Sequence, residues 1–471
     1  MAGKKSTFAL FFGNRGFFPA SIIEGARKEL ARALRQLKHK TLVLDTDATR
    51  HGAVETAREG QVYAKFLEEN RGKYDGVILC LPNFGDETGA VAALKDAGVP
   101  ILIQAYPDEM DRMAPALRRD AFCGKFSIMD VFCQYGVKFT ALKPHTVSPA
   151  SDRFRANVEH FDRVCRVVKG LRGMVVGAIG ARTTAFKTVR IDELALQRNG
   201  ISMETLDLSD VFARMAALER RDGKYRGKVR RLRNYTCWDG VPPEAFDKLV
   251  RLGVVLDRIV EEFELDALAL RCWLELQQQH NISPCVLLSE MNNRGIPCAC
   301  EVDVGNAVAM HALSLASGGP AACLDWNNNY GEEDDKCILF HCGPVPVGMM
   351  TDQGRVTDHA ILGNAVGQTC GYGCDVGRIS PCEFTFGSMA TEAGRLKFYL
   401  GWGRFTEDEI PDDYFGCAGV AQIDGLQDVL LHIGYNGYRH HVGVTPGAVV
   451  QPVREALRHY LGFDVGVPQD E

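Results

Sequence analysis

The residues able to do chemistry crowd into one stretch of this chain. Residues 300–346 read CEVDVGNAVAMHALSLASGGPAACLDWNNNYGEEDDKCILFHCGPVP. Glu301 follows the apolar GIPCAC and precedes a helical pattern. Asp325 follows AACL and precedes WNNNYG, a loop composition. His341 follows CILF and precedes GPVP. Two carboxylates and an imidazole thus stand where elements should end, and element ends on one edge of a sheet can converge. Such a set suits a divalent metal of hard-to-borderline preference: Mn²⁺, Co²⁺, Fe²⁺ or Mg²⁺. Spacing alone does not fix this assignment, because no two candidates are close enough in sequence to set a geometry. On that ground a helix cap or a solvated carboxylate outweighs the ligand reading of Glu301 or Asp325. His311, beside Met310 and Leu313 on a helical pattern, reads as a packed histidine.

A second candidate is GYRHHVGVTPG, with His440 and His441 adjacent. Strand neighbours point to opposite faces, so at most one of the two imidazoles should enter a given site. A third is cysteine. Cys298, Cys300, Cys323, Cys337, Cys342, Cys370, Cys374, Cys382 and Cys417 gather toward the C-terminus, but no CxxC pair occurs. Free buried thiols therefore outweigh an iron–sulfur or zinc cluster. GxSxG and Walker A patterns are also absent, which removes support for acyl and nucleotide-phosphate chemistry.

Positioning these groups calls for several elements. TFALFF at 7–12, Thr41–Leu44, 75–81 and Val99–Ile103 read as strands, separated by helical patterns over Ala20–Leu37, 57–70 and 86–97. Alternation of this kind predicts a parallel sheet covered on both faces. It restarts at GMVVGAIG near 172 and continues through a long helix over Pro242–Phe263 and a strand at Asp266–Leu270. After 343 glycine is dense and strands are short, and 364–445 predicts an antiparallel sheet or barrel. A closing helix is expected over 446–461, with Pro446 in its first turn. The expected fold is α/β: two Rossmann-like parallel-sheet domains at 1–169 and 170–342, then a β-rich, barrel-like domain at 343–471. GNRGFFP lies at the carboxyl end of the first strand but is not GxGxxG, so no dinucleotide site is expected.

The bulk properties fit a soluble globular protein. The 471 residues carry 54 Lys+Arg and 60 Asp+Glu, a net charge of −6 that gives no reason to expect a nucleic-acid partner. The basic run Lys224–Arg233 has acidic neighbours in a net-acidic chain, so a solvated helix or loop is expected there. No apolar run approaches a membrane span, and Asn14 and Arg15 interrupt the N-terminal apolar stretch before it could serve as a signal. A cytoplasmic location with reduced thiols is expected.

Taken in order, FGNRGFFP (12–19), IGARTTAFKTVRIDE (179–193), ALRCWLELQ (269–277), GIPCACEVD (295–303), LDWNNNYGEEDDKCILFHCGPVP (324–346), GRISPCEFTF (377–386) and RHHVGVTPG (439–447) form a specific set. The chain resembles the L-fucose isomerase/L-arabinose isomerase superfamily, and more closely its fucose-isomerase-like branch, which includes sulfoquinovose isomerases. The resemblance implies a metal site, usually Mn²⁺, in which Glu301 and Asp325 match the carboxylates and His441 the histidine, with His440 as the fallback. His341 matches an extra histidine that is either a ligand or a neighbour of one. Arg15 matches an arginine that reaches the site of a neighbouring subunit, implying a homo-oligomer, commonly a trimer-based hexamer. Trp273 matches an aromatic beside the sugar, and Asn327, Arg182 and Arg439 complete the expected substrate contacts. The chemistry implied is aldose–ketose isomerisation of an open-chain sugar through a cis-enediol, with Glu301 and Asp325 as base and acid. Arg439 stands where many relatives have a small residue or proline. An arginine there, or Arg15 or Arg182, could bind an anionic substituent such as the sulfonate of sulfoquinovose. Neutral sugars of the L-fucose/D-arabinose type remain equal candidates, and a non-catalytic sugar-binding protein on the same scaffold is the alternative.

Overall fold

The computed structural model describes residues 5–183 and 185–470. The described residues divide into two compact units, one ending at Lys169 and the other beginning at Gly170.

The first unit holds β1 (Thr7–Phe12), β2 (Lys40–Val43), β3 (Gly76–Leu81) and β4 (Ile101–Ala105), all parallel in the order β2-β1-β3-β4. All of β3 and β4, and all of β1 beyond Thr7, are buried. Apart from Gln104 these runs are apolar, because helices cover both faces of a parallel sheet. Helix starts are capped where the sequence offers an acceptor: Thr56 takes the Glu59 amide at 3.2 Å and Asp86 the Gly89 amide at 2.7 Å.

The second unit opens with a copy of that plan. β5 (Val175–Ile179), β6 (Ser202–Leu206), β7 (Ala267–Leu270) and β8 (Cys298–Ala299) form a parallel sheet in the equivalent order β6-β5-β7-β8. The basic run lies on a helix, Gly223–Tyr235, as expected. It is not simply solvated, however. Lys228 is buried and pairs with Asp257 at 2.7 Å and Glu290 at 3.1 Å, while Lys224 pairs with Glu261.

The remaining strands are β9 (Ala322–Asn329), β10 (Lys336–His341), β11 (Arg355–Thr357), β12 (Cys374–Arg378), β13 (Cys382–Glu392), β14 (Arg395–Phe405), β15 (Cys417–Gln422), β16 (His441–Pro446) and β17 (Asp464–Gly466). They make one mixed sheet in the order β11-β12-β15-β10-β9-β16-β13-β14-β17. β14 also pairs with β15 through Arg404↔Gln422 and Phe405↔Ala421, which closes β15-β10-β9-β16-β13-β14 into a ring. The barrel therefore recruits β9 and β10 from upstream of residue 343, and Asp325 and His341 share a sheet with His441. The helix expected from Pro446 begins instead at Val450 and passes into a π-helix over Glu455–Leu461. Pro446 ends β16, still opposite Phe384.

Helix Val304–Ser317 packs on β7 of the parallel sheet and on β13 and β16 of the barrel. Its start requires Gly305: a Cβ there would lie 2.6 Å from the Met389 carbonyl oxygen and collide with the Arg439 guanidinium. His311 on this helix is buried, as expected. No helix among the described residues is long and apolar enough to cross a membrane. All the cysteines are free.

One buried carboxyl gives the fold a pH signature. Asp375 on β12 is fully buried and accepts one hydrogen bond, from the Thr236 hydroxyl at 2.7 Å, while its other oxygen has no partner. Burial pushes its pKa from 3.8 up to about 7, against the pull of Thr236. The folded state thus binds this proton more tightly than the unfolded one. The resulting stability is complete below about pH 4 and is lost as the pH rises through 7. Thermal melts of Asp375→Asn should exceed the parent by at least ~2 °C at pH 8 and coincide with it near pH 4. A variant less stable at pH 8 would contradict this reading.

Candidate active site

Glu301 sits in the turn between β8 and helix Val304–Ser317. Both Glu301 and Val302 have positive φ, 56° and 58°. For a β-branched residue such as Val302 this is a strained conformation, of the kind that persists where surrounding structure over-determines it. Three hydrogen bonds hold the turn: Val302 N to the Leu270 carbonyl at 3.3 Å, Asp303 N to that of Cys300 at 2.9 Å, and Val304 N to that of Val302 at 2.9 Å. The turn aims the Glu301 carboxylate at the barrel.

The barrel answers with three groups. Asp325 on β9 lies directly opposite His441 on β16 in the strand register, and His441 Nε2 is 3.4 Å from Asp325 Oδ1. His341 ends β10, the strand on the other side of β9. Its Nε2 lies 3.6 Å from Glu301 Oε2, and His441 Nε2 lies 3.7 Å from the same oxygen. Glu301 Oε2, Asp325 Oδ1 and His341 Nε2 are buried without a hydrogen-bond partner. One ligand atom from each of Glu301, His341 and His441 falls within 4.8 Å of the others, as does one from each of Asp325, His440 and His441. Two buried, unpaired carboxylate oxygens with His441 Nε2 within 3.7 Å of each are a donor set that fits a divalent cation.

The two inner histidines differ in where the proton sits. His441 Nδ1 is 2.8 Å from Asp303 Oδ2. With that nitrogen donating, the Nε2 lone pair faces Glu301 and Asp325, as in a carboxylate–histidine–metal arrangement. His341 is the reverse: its Nδ1 accepts the Cys342 amide N–H at 2.8 Å, so the neutral ring carries its proton on Nε2. His441 thus offers a lone pair to the cluster and His341 a hydrogen.

Electrostatics follow the same plan. Burial opposes ionisation of Glu301. His341, His441 and the Trp273 indole N–H more than offset this and hold its carboxyl down at about 2. Burial likewise opposes a charged His441, but Cys323, Asp303, Asp325 and Glu301 raise it to about 10. The acidic groups that draw a proton to Nε2 would draw a cation to the same place, so the two compete.

Asp303 escaped the sequence reading. It is fully buried and caps the helix through the Asn306 amide at 2.9 Å, holds His441, and pairs with the Arg439 guanidinium. Its carboxyl lies below its ordinary value: Arg439 and His441 outweigh the cost of burial. Arg439, expected to meet an anionic substituent, is 4% exposed and occupied by Asp303. Its role is to hold Asp303 charged rather than to reach solvent.

His440 also departs from expectation. It does not turn away from its neighbour, for Nε2 lies 3.8 Å from Asp325 Oδ1. The pleat rule fails because β16 begins only at His441. Burial and the neighbouring His441 lower the pKa of His440. Trp273 donates from Nε1 to Glu301 Oε1 at 3.2 Å. Phe186, also missed, packs against Trp273, His440 and His441 with ring centroids 5.8, 5.4 and 5.6 Å away, making an aromatic wall. Its only signal was an apolar side chain in a polar loop. Arg182 lies in the same loop and donates to the Thr183 carbonyl at 3.0 Å.

Asn327 is exposed on β9 and hydrogen-bonds the Tyr414 hydroxyl at 2.8 Å. The register slips at this point, where Ile338 faces Asn328 and Leu339 faces Trp326. Arg15 belongs to the first unit. There it pairs with Glu87, donates from Nε to the Gly85 carbonyl at 2.8 Å and lies 4.5 Å over the Phe84 ring.

Strand ends of the second unit's parallel sheet thus meet the barrel around a buried carboxylate–imidazole cluster. Comparison with known proteins gives the class. Residues 9–172 match the model of the fucose/sulfoquinovose isomerase N-terminal domain, and residues 339–467 that of the L-fucose isomerase C-terminal domain. The chain belongs to the fucose/sulfoquinovose isomerase family of aldose–ketose isomerases. Among its relatives are a sulfoquinovose isomerase of Priestia aryabhattai, 22% identical over 83% of this chain and 86% of that one, and one of Alkalicoccus urumqiensis, 21% identical over the same shares. A periplasmic solute-binding protein of Actinobacillus succinogenes with bound D-allose aligns at a TM-score of 0.18 and 11% identity, covering 67% of this chain and 93% of that one. That likeness is too slight to carry an argument.

Proposed function

We propose that this protein is a divalent-cation-dependent isomerase that converts sulfoquinovose to sulfofructose through a cis-enediol. The observation that carries the reading is the convergence of Glu301 Oε2 and Asp325 Oδ1, both buried and unpaired, on His441 Nε2. The substrate follows from the relatives, which are named for sulfoquinovose.

In this reading Glu301, Asp325 and His441 hold the cation, with Mn²⁺ as the first choice. When bound, the cation would polarise the C1 carbonyl and C2 hydroxyl of an open-chain aldose. One carboxylate, Glu301 or Asp325, takes the C2 proton, the O2 hydroxyl proton passes to O1, and the other carboxylate, carrying a proton, gives it to C1 as C2 becomes the carbonyl; exchange of protons with solvent restores both carboxylates. Trp273 fixes Glu301 through Oε1 and leaves Oε2 turned to the substrate. His341 supplies its Nε2 hydrogen to Oε2 and stabilises the charged form between proton transfers. Asp303 keeps the His441 proton on Nδ1, and Phe186 shields the reacting carbons from water. Arg182, in the same loop as Phe186, is the arginine we assign to the sulfonate. A homo-oligomer, with a trimer-based hexamer as the family expectation, belongs to the same reading. Phe17, 82% exposed in the loop that carries Arg15, is apolar surface that an oligomer would cover.

The test is ketose formation by purified protein with Mn²⁺, offered sulfoquinovose, L-fucose and D-arabinose, each with an EDTA control. Sulfoquinovose should turn over and EDTA should abolish it. Turnover of a neutral sugar alone would overturn the substrate assignment, and EDTA-insensitive turnover would overturn the cation dependence.

A further inference from the structure

The cavity that Trp273, Glu301 and His341 border has a wall of sulfur on its other side. It has a volume of about 260 Å³ and is lined by Cys272, Cys285, Cys300, Glu301, His341 and His359, among others. Cys272 follows β7 and Cys300 follows β8, so the parallel pairing of those strands brings the two thiols together. Cys285 opens helix Cys285–Asn293, and its Sγ lies 3.9 Å from that of Cys374 at the start of β12. Cys300 and Cys285 line the same wall of that cavity. The Sγ atoms of Cys272 and Cys300 and a carboxylate oxygen of Glu301 all lie within 4.8 Å of one another. Cys272, Cys285 and Cys300 are 6%, 3% and 1% exposed.

Buried cysteines ordinarily act as small apolar side chains, each packed among hydrocarbon. These depart from that pattern, since they gather together and front a cavity. We infer that Cys272, Cys300 and Glu301, with Cys285 on the same wall, form a second cation site for a thiophilic divalent ion such as Zn²⁺ or Cd²⁺. Bonds of about 2.3 Å from one tetrahedral zinc place two sulfurs roughly 3.8 Å apart, a small inward movement from the spacing seen. The cavity leaves room for water as the fourth ligand. Softness separates the two sites: thiolates select zinc or cadmium, whereas the carboxylate–imidazole cluster suits Mn²⁺ or Mg²⁺. Glu301 is common to both. An ion on the sulfur side would therefore draw its carboxylate from the barrel histidines. The site itself rests on the thiols and not on the isomerase reading.

The test titrates Cd²⁺ into full-length, Mn²⁺-loaded protein and follows the ultraviolet thiolate-to-cadmium charge-transfer band. Cys123 and Cys133, both exposed, are replaced by Ser throughout to remove surface thiols. One equivalent per chain should give the band. Cys272→Ser and Cys300→Ser should each weaken cadmium binding at least ten-fold, and Asp325→Asn should leave the band unchanged. Zinc-edge X-ray absorption on the cysteine-intact core, needing neither core variant, should show two sulfur neighbours at about 2.3 Å. Absence of the band at saturating cadmium, its survival undiminished in both serine variants, or a zinc shell of nitrogen and oxygen alone would overturn the site.

Discussion

Glu301→Gln is expected to lower kcat/KM at least ~10³-fold while the circular dichroism spectrum stays that of the parent. Glutamine has nearly the same shape and still accepts the Trp273 N–H through its amide oxygen. It lacks the charge that faces His341 and His441. With the carboxyl held at about 2, Glu301 is ionised throughout the neutral range. The variant therefore loses a carboxylate present at every working pH, and with it the proposed base and cation ligand. Manganese content should fall in parallel, since an amide is a weaker partner for a divalent ion than a carboxylate. Kinetics and metal analysis on the same preparation check both halves. A variant that kept a tenth of parental activity would remove Glu301 from the chemistry.

Asp303→Ala should be the most destabilising single change around the site, by ~3–5 kcal/mol in denaturant unfolding. Three losses coincide at one fully buried carboxylate. Arg439 keeps a buried charge without a partner, the Asn306 amide loses its cap, and the His441 ring loses what orients it. The milder Asp303→Asn retains the cap oxygen and should instead lower metal affinity ~10–100-fold through His441. A double-mutant cycle with Arg439→Met separates charge from shape. Removing both charged partners together should be less destabilising than the sum of the single changes. Strict additivity would mean that the pair does not act as a unit.

The sequence shows much of this architecture and little of its connections. β1, β3 and β7 were readable because strands buried on both faces are short apolar runs bounded by polar turns. The barrel was readable as glycine-dense short strands, but not its closure, because the β14–β15 contact is only two residue pairs long. Glu301, Asp325 and His341 stood out as polar residues ending apolar segments, and the structure brings them together. Asp303 did not stand out. Its partners Arg439 and His441 lie 136 and 138 positions away, and by local pattern it is only a helix cap. Arg439 was misjudged for the same reason, since its occupant is invisible in the linear chain. His440 was misplaced because strand alternation was applied one residue before the strand begins.

The most direct measurement of the central claim is the sulfoquinovose assay run in D₂O. If a carboxylate moves the C2 proton and solvent can exchange with it, the ketose should carry deuterium at C1, detectable by proton magnetic resonance. Glu301→Gln should reduce ketose formation and deuterium incorporation together. Product formed at the parental rate with the substrate hydrogen fully retained at C1 would indicate a hydride shift and contradict the proton-transfer role given to Glu301 and Asp325.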